Sequence, residues 1–179
     1  NNFNRDHKSL FKIKKIKELN NIKKIVLEIC KKVSKKNIEE DFSQIHKKIS
    51  IKDLNKFRVG VFEELNKLNL HKKLYEISKE EIHFLCSNDI AVQKRINISF
   101  HLPGDKSSII DLHSDTLSGQ SPFEIVQWIP LCDVQKSNSM YFFNNAKSKK
   151  INSKLKNYEK KGFSKILNDF LELSDFLNI

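Results

Sequence analysis

The sequence predicts an α+β fold in one structural domain, with a helical scaffold over residues 1–90 and short antiparallel strands over 91–179. Two observations carry that prediction. Apolar residues recur at three- and four-residue intervals through the first half, and at about residue 91 the period falls to two. Turn-forming clusters then break the second half at Pro103-Gly104-Asp105, at Ser118-Gly119-Gln120-Ser121-Pro122 and at Pro130.

In chain order, Ile22, Val26, Ile29 and Val33 form the first apolar stripe, with Asn20-Asn21 as a candidate break. Leu54, Phe57, Val61, Leu65 and Leu68 form the second, introduced by Ser50-Ile-Lys-Asp53, a capping box with Asp in place of Glu. Ser78-Lys-Glu-Glu81 matches that box more closely and opens a further short helix. Each helix has one face to bury and a lysine-rich face for water. In residues 95–102, Ile96, Ile98, Phe100 and Leu102 alternate with Arg95, Asn97, Ser99 and His101, the pattern of a strand with two unlike faces. Residues 109–115 read as a second strand, with Asp111, His113 and Asp115 on one face. Residues 123–129 read as a mostly apolar third strand and 139–143 as a fourth. Residues 144–161 form a Lys- and Asn-rich surface excursion with some helix, and Phe163, Ile166, Leu167, Phe170 and Leu171 mark a last amphipathic helix. Four strands are too few to close a barrel, and the last helix reaches Ile179 without a C-cap. Both features lead to the expectation that the fold is incomplete in this chain.

The formal charge of +11 raises the question of a nucleic-acid partner. Yet 33 − 3 = 30 of the basic residues are lysine, set along helical patterns without interleaved aromatics or arginines, which predicts solvated faces instead. No apolar run approaches the roughly 20 residues of a bilayer span, and the N-terminal stretch lacks the apolar centre of a secretory signal. A cytoplasmic protein with no membrane partner is expected. Cys30, Cys86 and Cys132 are odd in number and far apart, so they read as buried thiols, not as a disulfide framework or a zinc site.

The chemistry is concentrated at His113-Ser114-Asp115. Residues i and i+2 of a strand project from one face about 7 Å apart at Cα, so an imidazole and a carboxylate reach one metal ion together. With a second His from elsewhere they make the facial triad that leaves open positions on Fe(II). A His-x-Asp alone is a weak pattern, and its surroundings add more. LPGDKSS, HSDTLSGQSPFE, WIPLCDV and SMY occur in that order. Together they resemble the 2-oxoglutarate- and Fe(II)-dependent oxygenases related to phytanoyl-CoA dioxygenase, in a branch found sporadically in carbohydrate biosynthesis clusters, including streptomycin-type pathways.

That resemblance implies a double-stranded β-helix (a jelly roll, cupin-like) with helices packed outside, and Fe(II), 2-oxoglutarate and O2 as the reacting set. It implies His113 and Asp115 as iron ligands and a carbohydrate-related small molecule as the substrate, oxidised most simply by hydroxylation. The family carries a second His and a 2-oxoglutarate-anchoring Arg downstream, whereas no His follows His113 and no Arg follows Arg95 here. The third ligand is therefore expected beyond Ile179, and little turnover is expected of these 179 residues.

Substrate or cosubstrate contacts are assigned to Ser118, Gln120, Ser121 and Glu124 in the loop after the pair, to His101 on the first strand, to Trp128 as a cavity wall, and to Ser139. Asp111 shares the face of His113 but lies further from the metal, and is expected either to be solvated or to orient His113. Two other readings stay open: a jelly-roll binding or scaffold protein with a degenerate metal site, and a basic helical module that binds nucleic acid through residues 1–90.

Overall fold

The computed structural model describes residues 16–108, 115, 120, 121, 123–135, 143 and 145–156. Of these, 16–108 and 128–134 belong to one compact unit, the helical unit, and 115, 120, 121, 123–127, 135, 143 and 145–156 to a second.

Helix α1 (Ile16–Ser34) buries Ile22, Val26 and Ile29 as the spacing predicts, with Leu27 and Cys30 widening the stripe. The candidate break at Asn20-Asn21 does not occur. Both asparagines are exposed, and their propensity cost of well under about 1 kcal/mol each is outweighed by burial of the stripe they flank. A 3₁₀ segment, Phe42–Lys47, follows and drops Phe42 and Ile45 into the same core. Its start is fixed by Asp41, whose carboxylate accepts the Ser43 N–H at 2.9 Å and the Ser43 hydroxyl at 2.7 Å.

Helix α2 (Ile51–Asn66) buries Leu54, Phe57, Val61 and Leu65. Leu68 lies past its end and is half exposed. Ser50 caps the helix by accepting the Asp53 N–H at 3.2 Å, and its own hydroxyl donates to the Asp53 carboxylate at 2.8 Å. Asp is one methylene shorter than the Glu of a full capping box, so here the acid meets the capping hydroxyl. The close approach of α1 and α2 is set by Gly60: a Cβ there would lie 2.7 Å from Val33 Cγ1.

Two short helices, α3 (His71–Ile77) and α4 (Lys79–Cys86), complete this unit's helices. Helix α4 begins where expected, but Ser78 makes no side-chain cap; its carbonyl accepts the Ile82 N–H at 2.9 Å instead. In the second unit, α5 (Asn145–Lys156) is the helical part of the lysine-rich excursion.

Among the described residues there are helices, turns and irregular chain but no β-strand. That finding overturns the expected α+β fold and the jelly roll (double-stranded β-helix, cupin-like) with helices packed on it. The physical reason is visible in residues 95–102. Their alternation is real: Phe100 and Leu102 are buried and Ile96 and Ile98 half-buried, while Arg95, Asn97, Ser99 and His101 are exposed. Two main-chain positions, however, Ile96 and Phe100, are bonded by side chains of α2, and among the described residues no β-strand accompanies them. Period-two burial reports which side chains face the core, and it is silent on what satisfies the main chain. Residues 123–129 depart further, since Phe123 is 93% exposed and Ile125, Val126 and Trp128 are each at least 49% exposed. The expected strand at 109–115 lies outside the described residues except for Asp115, and that at 139–143 except for Phe143. The last expected helix also lies outside them. No helix among the described residues is long and apolar enough to cross a membrane.

Candidate functional site

Asp115 is the member of the His-x-Asp pair that the structure describes, and it sits exposed in a turn. Its carbonyl accepts the Gln120 N–H at 2.9 Å. Ser121 opens the next turn: its hydroxyl oxygen accepts the Phe123 N–H at 3.2 Å and its carbonyl accepts the Glu124 N–H at 3.1 Å. Gln120, Ser121 and Glu124 are all exposed. Among the described residues, hydrogen bonds join Asp115 to Gln120 and Ser121 to Phe123 and Glu124. His113, Ser118 and Ser139 lie outside the described residues, as does Asp111.

His101 and Trp128 belong to the helical unit. His101 is on the exposed face of the extended segment. Trp128 is 50% exposed. Among the described residues no three His, Cys, Asp or Glu side chains converge as a metal site would require, and His113 is not in that set.

The polar construction that stands out lies where the sequence had not pointed. The carboxamide of Asn66, near the end of α2, takes both main-chain groups of Ile96. Its oxygen accepts the Ile96 N–H at 2.7 Å and its nitrogen donates to the Ile96 carbonyl at 3.0 Å, as a neighbouring strand residue would. Arg58, two helical turns earlier, donates Nε to the Phe100 carbonyl at 3.1 Å and Nη2 to the same oxygen. Nη2 also reaches Asp105 Oδ2 at 2.9 Å. Asp105 is a buried acid, and its other oxygen accepts the Ser107 N–H at 3.0 Å and the Ser107 hydroxyl at 2.6 Å. A buried carboxylate needs such saturation, because desolvating the charge is costly unless it is paired and hydrogen-bonded. The available signal was that Arg58 is one of three arginines among 33 basic residues, and a planar fork serves where lysine cannot.

Two further histidines, His46 and His83, make local hydrogen bonds. His46 Nδ1 meets the Ser43 carbonyl at 2.9 Å, and His83 Nε2 shares a hydrogen bond of 2.5 Å with the Tyr75 hydroxyl. Burial pushes the Cys30 thiol up to about 12, so it stays protonated and unreactive in the core. Burial also raises Cys132, with Asp41 adding to the shift. Comparison with family models, with curated proteins and with solved structures finds no match.

Proposed function

We propose that this chain carries part of the site of an Fe(II)- and 2-oxoglutarate-dependent oxygenase acting on a carbohydrate-related small molecule. One observation carries the reading: the turn at Pro103-Gly104-Asp105, His113-x-Asp115, the loop from Ser118 to Glu124 and the Trp128-Ile-Pro-Leu131 run occur in order within 30 residues. The reading stands on those residues and not on a β scaffold. Imidazole and carboxylate are ligands that ferrous iron takes in such oxygenases, and in this reading His113 and Asp115 hold it. Bound iron, with 2-oxoglutarate and O2, supplies the oxidation of a C–H bond. The chain's own groups bind and orient: Ser118, Gln120, Ser121 and Glu124 offer hydrogen bonds to a polyhydroxylated substrate, Trp128 an aromatic face, and His101 and Ser139 further polar contacts. The reading places the protein in the cytoplasm, with no membrane or nucleic-acid partner.

Titration with Co(II), followed by its visible absorption, tests the ligand pair. Weak binding by the unmodified chain is expected, reduced at least about ten-fold in His113→Ala and in Asp115→Ala. Identical isotherms for all three proteins would remove both residues from the site. With Fe(II) and 2-oxoglutarate, succinate release from these 179 residues should stay near background, because two side chains hold ferrous iron poorly. A strong anaerobic charge-transfer band would instead locate a third ligand within this chain.

A further inference from the structure

We propose that Phe123 is the platform on which the substrate's sugar ring stacks, so that the ligand is a cyclic sugar with an apolar C–H face and not an open-chain polyol. The inference rests on the oxygenase reading for its substrate class. Its structural basis is separate. Phe123 is 93% exposed, more than any other large apolar side chain among the described residues, whereas Phe42, Phe57 and Phe100 are buried.

A turn presents the ring. The Ser121 carbonyl accepts the Glu124 N–H at 3.1 Å, which makes Phe123 the third residue of the turn, and the Ser121 hydroxyl oxygen accepts the Phe123 N–H at 3.2 Å. In the sequence the second residue is Pro122, whose fixed φ favours that position. An aromatic ring has a negative face, so the weakly positive C–H bonds on one side of a pyranose are drawn to it. The hydroxyls at the edge of the sugar are then left for polar groups. Glu124, next in the chain and exposed, supplies carboxylate oxygens that accept from neighbouring hydroxyls, and exposed Gln120 both donates and accepts. Phe123 is three residues from Gln120, at most about 11 Å between Cα atoms. The Gln120 N–H in turn meets the Asp115 carbonyl at 2.9 Å. Platform and proposed iron ligand thus lie in one compact unit, at a separation that a ligand of one or two sugar rings bridges.

Saturation-transfer NMR on the full chain tests the proposal, with methyl β-glucoside as the probe, glucitol as its open-chain counterpart and irradiation of the aromatic protons. The unmodified chain should transfer saturation to the ring C–H protons of the glucoside and not to glucitol. Phe123→Ala should weaken that signal by about five-fold or more, and Phe123→Tyr, which keeps the aromatic face, should retain it. The side chain is exposed, so the far-UV circular dichroism of both variants should match that of the unmodified chain. An undiminished signal in Phe123→Ala, an equal signal on glucitol, or no signal from the unmodified chain would each overturn the proposal. A dimer that Phe123→Ala dissociates, with no sugar signal, would give the ring to a second copy of the chain instead. The Co(II) isotherms of His113→Ala and Asp115→Ala separate this inference from the reading it rests on. Isotherms identical to that of the unmodified chain beside a Phe123-dependent sugar signal remove the iron and keep the platform; weakened Co(II) binding beside a Phe123-independent signal removes the platform alone.

Discussion

At the scale of the residue, Gly60 shows how one missing side chain sets a helix spacing. Alanine at this position would gain about 1 kcal/mol of helix propensity, but its Cβ would sit 2.7 Å from Val33 Cγ1. A valine in a helix has essentially one rotamer, so Val33 has little room to yield. Overpacking of this kind costs about 1–3 kcal/mol. Gly60→Ala is therefore expected to lower the urea midpoint, and Val33→Ala introduced beside it should restore part of the loss. A stabilised Gly60→Ala would show that α1 and α2 separate freely. Gly60 was not legible as a contact from sequence, since a lone glycine within a helical pattern carries no address for the residue it faces. Arg58 and Asn66 share that limit: a polar residue on a helix flank declares its chemistry, while its partner 30 or more positions away is fixed by the fold.

At the scale of the element, α1 and α2 meet through an apolar seam with one ionic clasp at its edge. The Glu64 carboxylate accepts from Lys32 of α1 at 2.5 Å and from Lys67 at 2.6 Å. Those two ammonium groups hold its acid down to about 2, against an ordinary 4.5. A depressed acid stabilises the folded state above its unfolded value, and that contribution is lost as pH falls from about 4.5 through about 2. The lysines are largely exposed, so the effect is small and screened by salt. In Glu64→Gln the urea midpoint should fall less steeply across that acid range than in the unmodified chain. Superimposable pH profiles would leave the clasp without a role in stability. The helices themselves were largely legible: the apolar stripes at Ile22–Val26–Ile29 and Leu54–Phe57–Val61–Leu65 are the buried faces, and the Ser50 cap forms. The strand at 95–102 was legible in its burial and misread in its partner, because alternation is shared by a sheet strand and by an extended chain laid on helices.

At the scale of the whole molecule, Cys30 offers a reporter of global opening. It is fully buried and its thiol is raised to about 12, whereas Cys86 and Cys132 are partly exposed. Under native conditions a thiol reagent should modify Cys86 first and reach Cys30 at the rate of unfolding, which denaturant then accelerates. Labelling of Cys30 as fast as Cys86 would mean that the α1–α2 seam opens locally. Little of the candidate site was testable by placement: Asp115 and the turns at Gln120, Ser121 and Glu124 are described, and His113 is not.

Sequence by itself determined the helices, their buried faces, the lysine-rich exteriors and the alternation of residues 96–102, because each follows from short-range periodicity and from whether a side chain prefers water. Tertiary structure alone decided that the alternating stretch is bonded to α2 by Asn66 and Arg58, and that residues 123–128 stay exposed. Those outcomes depend on which distant group satisfies a backbone N–H or carbonyl, and no local pattern of side chains encodes that choice.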